Sequence, residues 1–430
     1  MLLSNPRRGI PPELAEADLE GALRGSVGDW LRLLAARGGE IGTLLAPPAD
    51  EQHRRGYAHT LREICQQPVT WLETAARVTG RLDALAASLS HVQADGQSGA
   101  IVLTGSGSSE YAGECLSIGL QRALGLPTHA VSAGVLLTHP GGCIPSKMPS
   151  LLVSFARSGN SPESCAAVDS VRETAPDCRH LVITCNGEGR LATRYHDDPR
   201  VATVVLDDKT CDRSLVMTSS FTNMVLAGRL LGMAGDLAGF RRRAEALARA
   251  GAEILLRHAD GLARLARSGY ESAVYLGSGC RYGSAREAAL KMLEMTGGGV
   301  KTVAETYLGL RHGPMCAIDG GALVVCFLSS DATTRAYEAD LLRELNRKRL
   351  GARKVIFGHD LPGDLASGQD LFLDAAALAG VSDEDAPIVD VVVGQLLAFF
   401  RCLDVGLHPD SPSDGVISRV VEDFAIHHRS

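Results

Sequence analysis

One short turn occurs twice in this chain. An apolar run ends in Thr104-Gly105-Ser106-Gly107 and another ends in Leu276-Gly277-Ser278-Gly279, and a helical pattern follows each. A Gly-Ser-Gly turn leading from a buried strand into a helix is an α/β junction, and its recurrence suggests two copies of one unit. Candidate strands of the first copy are 100–103, 151–155, 181–184 and 201–206; those of the second are 272–276, 322–328, 353–357 and 370–373. Strands alternating with helices predict parallel sheets covered on both faces. A chain of 430 residues has room for two such domains. The expected division is an N-terminal extension 1–50, a first unit with its preceding helices 51–245, a second unit 246–403 and a tail 404–430. Within the extension, 26–36 has a helical pattern, and the remainder reads as disordered or packed on the surface. Helical patterns also run over 57–89, where Pro68 is expected to divide the segment into two helices, over 218–266 and over 387–403. The tail reads as a loop-like arm.

The turns carry chemistry. Ser106, Ser108 and Ser109 lie where a strand gives way to a helix, so backbone N–H groups and hydroxyls gather at a helix N-terminus that favours an anion. The next strand runs into Arg157-Ser158-Gly159-Asn160-Ser161, adding hydroxyls at the same sheet edge. Ligands of open α/β sheets bind beyond the carboxyl ends of the strands, where these turns meet. Any one of the serines alone is equally an ordinary helix cap. In the second copy, Glu287, Lys291 and Glu294 fall at i, i+4 and i+7 on one helical face, and His312 follows a glycine break at 297–299. Alone, that Glu-Lys-Glu spacing is what a solvated face shows, and a His before Gly-Pro is an ordinary loop residue. Strand, glycine turn, helix, acids, a lysine and a histidine in one stretch fit a phosphosugar site better.

Other readings fail on spacing. A dinucleotide fingerprint needs a third glycine where Glu110 and Tyr282 stand, no Gly-Lys-Ser/Thr follows either turn, and no nucleophile elbow has a spaced His and Asp. The net charge of −7 gives no general attraction to nucleic acid or anionic lipid. Eleven cysteines form no CxxC pair or metal-finger spacing and sit mostly in apolar runs, as free thiols of a reducing cytoplasm do. No signal peptide and no apolar run of about eighteen residues is present, so no membrane association is expected.

Six stretches taken together carry a family resemblance: LREICQQPVTW, LTGSGSSEYAGE, SFARSGNSPES, AREAALKMLEM, VAETYLGLRHGP and PDSPSDGVISRVVEDF. The chain resembles double sugar isomerase (SIS) domain proteins over about 57–427, and within them the galactosamine-6-phosphate deaminase/isomerase family, also described as tagatose-6-phosphate ketose/aldose isomerases. The resemblance implies two tandem SIS domains, each a parallel sheet flanked by helices in a flavodoxin-like three-layer sandwich. It implies conversion of galactosamine 6-phosphate to tagatose 6-phosphate and ammonia through a proton shift between C1 and C2, with no metal or organic cofactor. Ser106, Ser108, Ser109, Ser158 and Ser161 would hold the sugar phosphate. By similarity to the isomerase half of glucosamine-6-phosphate synthase, Glu294 would be the base, Glu287 and Lys291 would support it, and His312 would assist ring opening across a subunit interface of a homodimer or larger homo-oligomer.

Two positions depart from the synthase pattern. Arg157 stands where that enzyme carries a Gln in its phosphate turn, which would add a charge-assisted contact. Arg419 falls near its imine-forming tail lysine, and a guanidinium cannot form an imine. The glutaminase half is absent, so ammonia would be released or not involved at all. The alternatives are a ketose/aldose isomerase of neutral sugar phosphates and a non-catalytic phosphosugar sensor. Two units, an acidic balance and no helix-turn-helix in the first fifty residues speak against the sensor.

Overall fold

The computed structural model describes residues 16–93, 99–144, 148–413, 415–421 and 424–427. Among these residues ten strands form two sheets: β1 (Ala100–Gly105), β2 (Thr128–Ser132), β3 (Ser150–Ala156), β4 (Arg179–Thr184) and β5 (Val201–Val205) in one, and β6 (Ser272–Leu276), β7 (Lys301–Glu305), β8 (Leu323–Phe327), β9 (Arg353–Gly358) and β10 (Leu371–Asp374) in the other. The orders are β2-β1-β3-β4-β5 and β10-β9-β8-β6-β7, and every pairing is parallel. Counted from the first strand of each unit, both sheets read 2-1-3-4-5, the order of flavodoxin-like folds. The repeated turn therefore marks a repeated topology. Central strands β1, β3 and β8 are buried along their whole length, as parallel strands covered on both faces must be. β2 and β7, which the sequence reading did not anticipate, take the same edge position in each unit and are half-exposed.

Two other expectations change. Pro68 does not divide its segment: one helix runs Ala58–Thr79. Proline leaves the Ile64 carbonyl without its backbone donor, and the Gln67 side-chain amide donates to that carbonyl instead at 2.9 Å. The same Gln67 bonds Gln395 at 2.7 Å and accepts from Thr222 at 2.7 Å, so the helix is held in the core by side chains of two others. The N-terminal segment is packed more deeply than a surface extension. In its helix Val27–Arg37, Trp30 is fully buried and its Nε1 donates to the Cys65 carbonyl at 2.7 Å. Residues 1–15 of that extension lie outside the described residues.

One apolar core runs through both units, from Leu23 to Cys402. At its centre the helix Cys280–Met295 packs against Ser108–Leu124 on one side and Pro387–Asp404 on the other. Small residues allow this. A Cβ on Gly283 would lie 2.6 Å from the Cys115 nitrogen, and one on Gly394 would overlap Ala288. The helix carrying Glu287, Lys291 and Glu294 thus lies directly against the helix that begins at Ser108.

Candidate functional site

In both turns the first glycine is crowded and the second is twisted. A Cβ on Gly105 would meet Ser109 at 2.5 Å, whereas Gly107 has φ 58° and Gly279 φ 58°, a region that side chains disfavour. This geometry starts the helices Ser108–Leu124 and Cys280–Met295 directly behind their strands. The two turns differ in what faces them.

A cavity of about 250 Å³ opens at the first. Ser106, Ser108, Ser109, Ser158 and Ser161 all line it, together with Arg157, Glu294 and Arg419. Ser161 begins the helix Pro162–Thr174 without spending its hydroxyl as a cap, and Ser106 shares a 3.2 Å hydrogen bond with Ser164. The cap reading therefore does not account for Ser161. Ser164 also lines the cavity; its position one turn beyond Ser161 was the signal that the sequence offered and the reading passed over. Leu215 and Met217 add to the walls from a loop whose sequence carries no chemical pattern, and Ile417 and Ser418 from the tail.

Across from the serines stands the buried acid–lysine cluster. Glu287 and Lys291 are fully buried and Glu294 is 22% exposed, so this face is not solvated. Lys291 Nζ lies 2.5 Å from Glu294, 3.4 Å from Glu287 and 3.1 Å from the Ser108 hydroxyl to which it donates. Burial works against the Lys291 charge, but the two glutamates outweigh it and hold the pKa above the ordinary lysine value. Burial pushes Glu287 up to about 7, with Lys291 opposing. The lysine thus links a carboxylate on the cavity wall to the helix start that favours an anion. A carboxylate facing an anion cradle across a small cavity is equipped to move a proton on a phosphorylated substrate.

The two arginines are held by the protein. Arg157 is buried and donates to the carbonyls of Leu215 at 2.8 Å, Ser214 at 3.2 Å and Arg419 at 3.4 Å. Burial and the neighbouring Arg419 lower its pKa from the usual arginine value. Its Nη groups thus brace the cavity wall, a use that the expected phosphate contact did not include. Arg419 donates to the Arg213 carbonyl at 3.0 Å and brings the tail against the cavity. His312 is exposed and does not line the cavity within this chain.

At the second turn, protein carboxylates stand where an anion would. Glu338 is fully buried, accepts from Ser329 N at 2.7 Å and lies against the Ser278 hydroxyl. Asp383 accepts from Ser330 N at 2.8 Å and from the Ser329 hydroxyl. Burial raises Glu338 to about 7, opposed by Ser278 and Ser329. Its folded pKa exceeds its unfolded one, so its contribution to stability is complete below about 4.5 and is lost as pH rises through about 7. Glu338→Gln should therefore reduce the fall in unfolding free energy between pH 5 and 8, measured by urea titration, by on the order of 1–3 kcal/mol. An equal fall in variant and wild type would place the titration elsewhere.

No family model matches the sequence. A Streptomyces coelicolor protein provisionally named D-galactosamine-6-phosphate deaminase AgaS is 39% identical over 390 residues, covering 89% of this chain and 99% of its own. The D-galactosamine-6-phosphate deaminase AgaS of a Shewanella species is 33% identical over 386 residues, covering 88% and 94%. The crystal structure of a Clostridium novyi protein provisionally named tagatose-6-phosphate ketose/aldose isomerase superposes with a TM-score of 0.83 at 30% identity, covering 88% of this chain and 97% of that one.

Proposed function

The chain belongs to the D-galactosamine-6-phosphate deaminase AgaS family, and from that premise we propose that it converts galactosamine 6-phosphate and water into tagatose 6-phosphate and ammonia. The observation that carries this reading is Glu294 on the wall of a small cavity opposite two serine-rich turns. The serines and the helix N-terminus hold the phosphate, fixing the sugar so that C1 and C2 meet the carboxylate. Glu294 removes the C2 proton of the open-chain aminoaldose and returns it at C1, while the C1 carbonyl oxygen takes up a proton equivalent to the one that the C2 ammonium gives up. The C2 amine becomes an iminium, water adds to C2, and ammonia leaves with the ketone in place. Lys291 fixes the Glu294 carboxylate through its 2.5 Å contact. Arg419, which cannot form an imine, closes the cavity as part of the tail.

The test is incubation with galactosamine 6-phosphate, following ammonia and ketose together. Equimolar release supports deamination. Ketose–aldose exchange of tagatose 6-phosphate with no ammonia from the aminosugar would favour the neutral-sugar isomerase instead, an activity in keeping with the Clostridium novyi neighbour's name.

Two predictions follow the roles assigned. Ser108→Ala with Ser158→Ala should weaken phosphosugar binding by roughly 1–3 kcal/mol, the scale of hydrogen bonds lost to a charged group. Unchanged calorimetric affinity in a folded double variant would remove the serines from the phosphate site. His312 is exposed and away from the cavity of its own chain, which supports a role in a partner subunit's site within a homo-oligomer. Mixing His312→Asn protomers with Glu294→Gln protomers should then restore part of the activity that each lacks; a fully active monomer at assay concentration would end the idea. Among the described residues no helix is long and apolar enough to cross a membrane. The free cysteines support a reducing, cytoplasmic setting.

A further inference from the structure

We propose that the cavity between the N-terminal helices and the segment 208–213 is a regulatory site for a dianionic phosphate group, and that Arg213 couples it to the substrate cavity. This cavity is larger, at about 690 Å³, within the range of small-molecule sites. Arg32, Arg62, Lys209, Arg213, His53 and His59 face it, in a protein whose net charge is −7. Arg32 is paired with Asp29, and Lys209 with Glu73 at 2.7 Å. Arg62 and Arg213 make no side-chain hydrogen bond or ion pair among the described residues, which leaves two guanidinium groups free for phosphate oxygens. The opposing acids on the wall are Asp208 and Glu63. Glu63 is buried, and it accepts from Arg213 N at 2.5 Å and from Ser214 N at 3.3 Å. Burial and the neighbouring Asp212 hold its pKa far above the usual carboxylate range, so it opposes an anion weakly. The pKa of His59, close to Asp410, Arg62 and Arg213, is lowered chiefly by burial, so the positive charge of this wall comes from the arginines and Lys209.

The coupling rests on a shared wall. Cys211 and Arg213 line this cavity, and Leu215, two residues on, lines the substrate cavity. Arg419 donates to the Arg213 carbonyl at 3.0 Å and to the Cys211 sulfur at 3.6 Å, while Arg157 is anchored on Ser214 and Leu215. Both arginines of the substrate cavity therefore hang from the strip whose outer side presents Arg213. An anion that draws the Arg213 side chain moves that strip, and each site must then alter the other's affinity by the same factor.

The test of the site itself does not depend on the reaction catalysed. Wild-type protein and Arg62→Ala/Arg213→Ala are titrated calorimetrically with inorganic phosphate and, separately, with sorbitol 6-phosphate. The variant is expected to bind one equivalent per chain fewer than wild type, or to bind that equivalent at least tenfold more weakly. Tighter binding of sorbitol 6-phosphate at this site identifies a sugar-phosphate ligand, and tighter binding of inorganic phosphate the free anion. Equal stoichiometry and affinity in the two proteins overturn the site. For the coupling, Arg62→Ala should keep basal turnover while losing the part of the phosphate effect on KM that exceeds simple competition. Purely competitive behaviour in both proteins overturns it.

Discussion

Replacing Glu294 with Gln will lower turnover by a factor on the order of 10²–10⁴, the usual contribution of a positioned base, while substrate still binds. Gln keeps the shape of the side chain and a hydrogen-bonding partner for Lys291 Nζ, which lies 2.5 Å away. What it cannot do is accept the C2 proton. Solvent deuterium should therefore enter C1 of the product in the wild type and be absent in the variant over the same time. The serine turns are untouched, so the calorimetric affinity for galactosamine 6-phosphate should change little. Normal turnover would make Glu294 a wall residue only, and would assign the proton transfer to another group.

Much of this site was legible before the fold was known, for a physical reason. Buried parallel strands show as continuous apolar runs, and the turns that follow them must carry glycines and hydroxyls, so β1 and β3 and their serines could be read directly. The two edge strands could not. Thr-His-Ala-Val-Ser and Lys-Thr-Val-Ala-Glu hold two apolar residues each, because one margin of each faces away from the core. Pro68 misled because the group that offsets its missing donor is a side chain, Gln67, whose position depends on helices far away in sequence. Most consequential was the Glu-Lys-Glu face. Spacing states that Glu287, Lys291 and Glu294 share a side of the helix; only packing against Ser108–Leu124 decides that this side is dry. His312 is the opposite case, a residue singled out by motif that its own chain leaves outside the cavity.

Arg281→Met is expected to cost about 3–5 kcal/mol of stability, the penalty for stranding one member of a buried ion pair. Arg281 opens the helix that carries Glu294 and contacts Asp390 through Nη2 at 2.5 Å and Nε at 2.9 Å, with both groups buried. It also donates to the Leu328 carbonyl. Without it, Asp390 keeps only the Ser284 hydroxyl at 3.1 Å among the described residues. Burial already holds Asp390 above the ordinary aspartate pKa despite the arginine. The stability deficit in urea unfolding should thus shrink in the double variant Arg281→Met/Asp390→Leu, where the fully buried carboxylate is removed with its partner. A single variant within about 1 kcal/mol of wild type would show the pair to be dispensable.

The carboxylate of Glu338 in the second turn bears on descent. The two units share one sheet order and one Gly-Ser-Gly turn, and at that turn they differ. The first kept hydroxyls and open space; the second filled its cradle from within and supplies the helix bearing Glu294. Neither half retains what the other has. A cut between them would leave the serine turns in one half and Glu294 in the other, and would open the apolar core that both share. The duplication has become a dependency that neither copy can leave, and Glu338 is where its loss of independence is recorded.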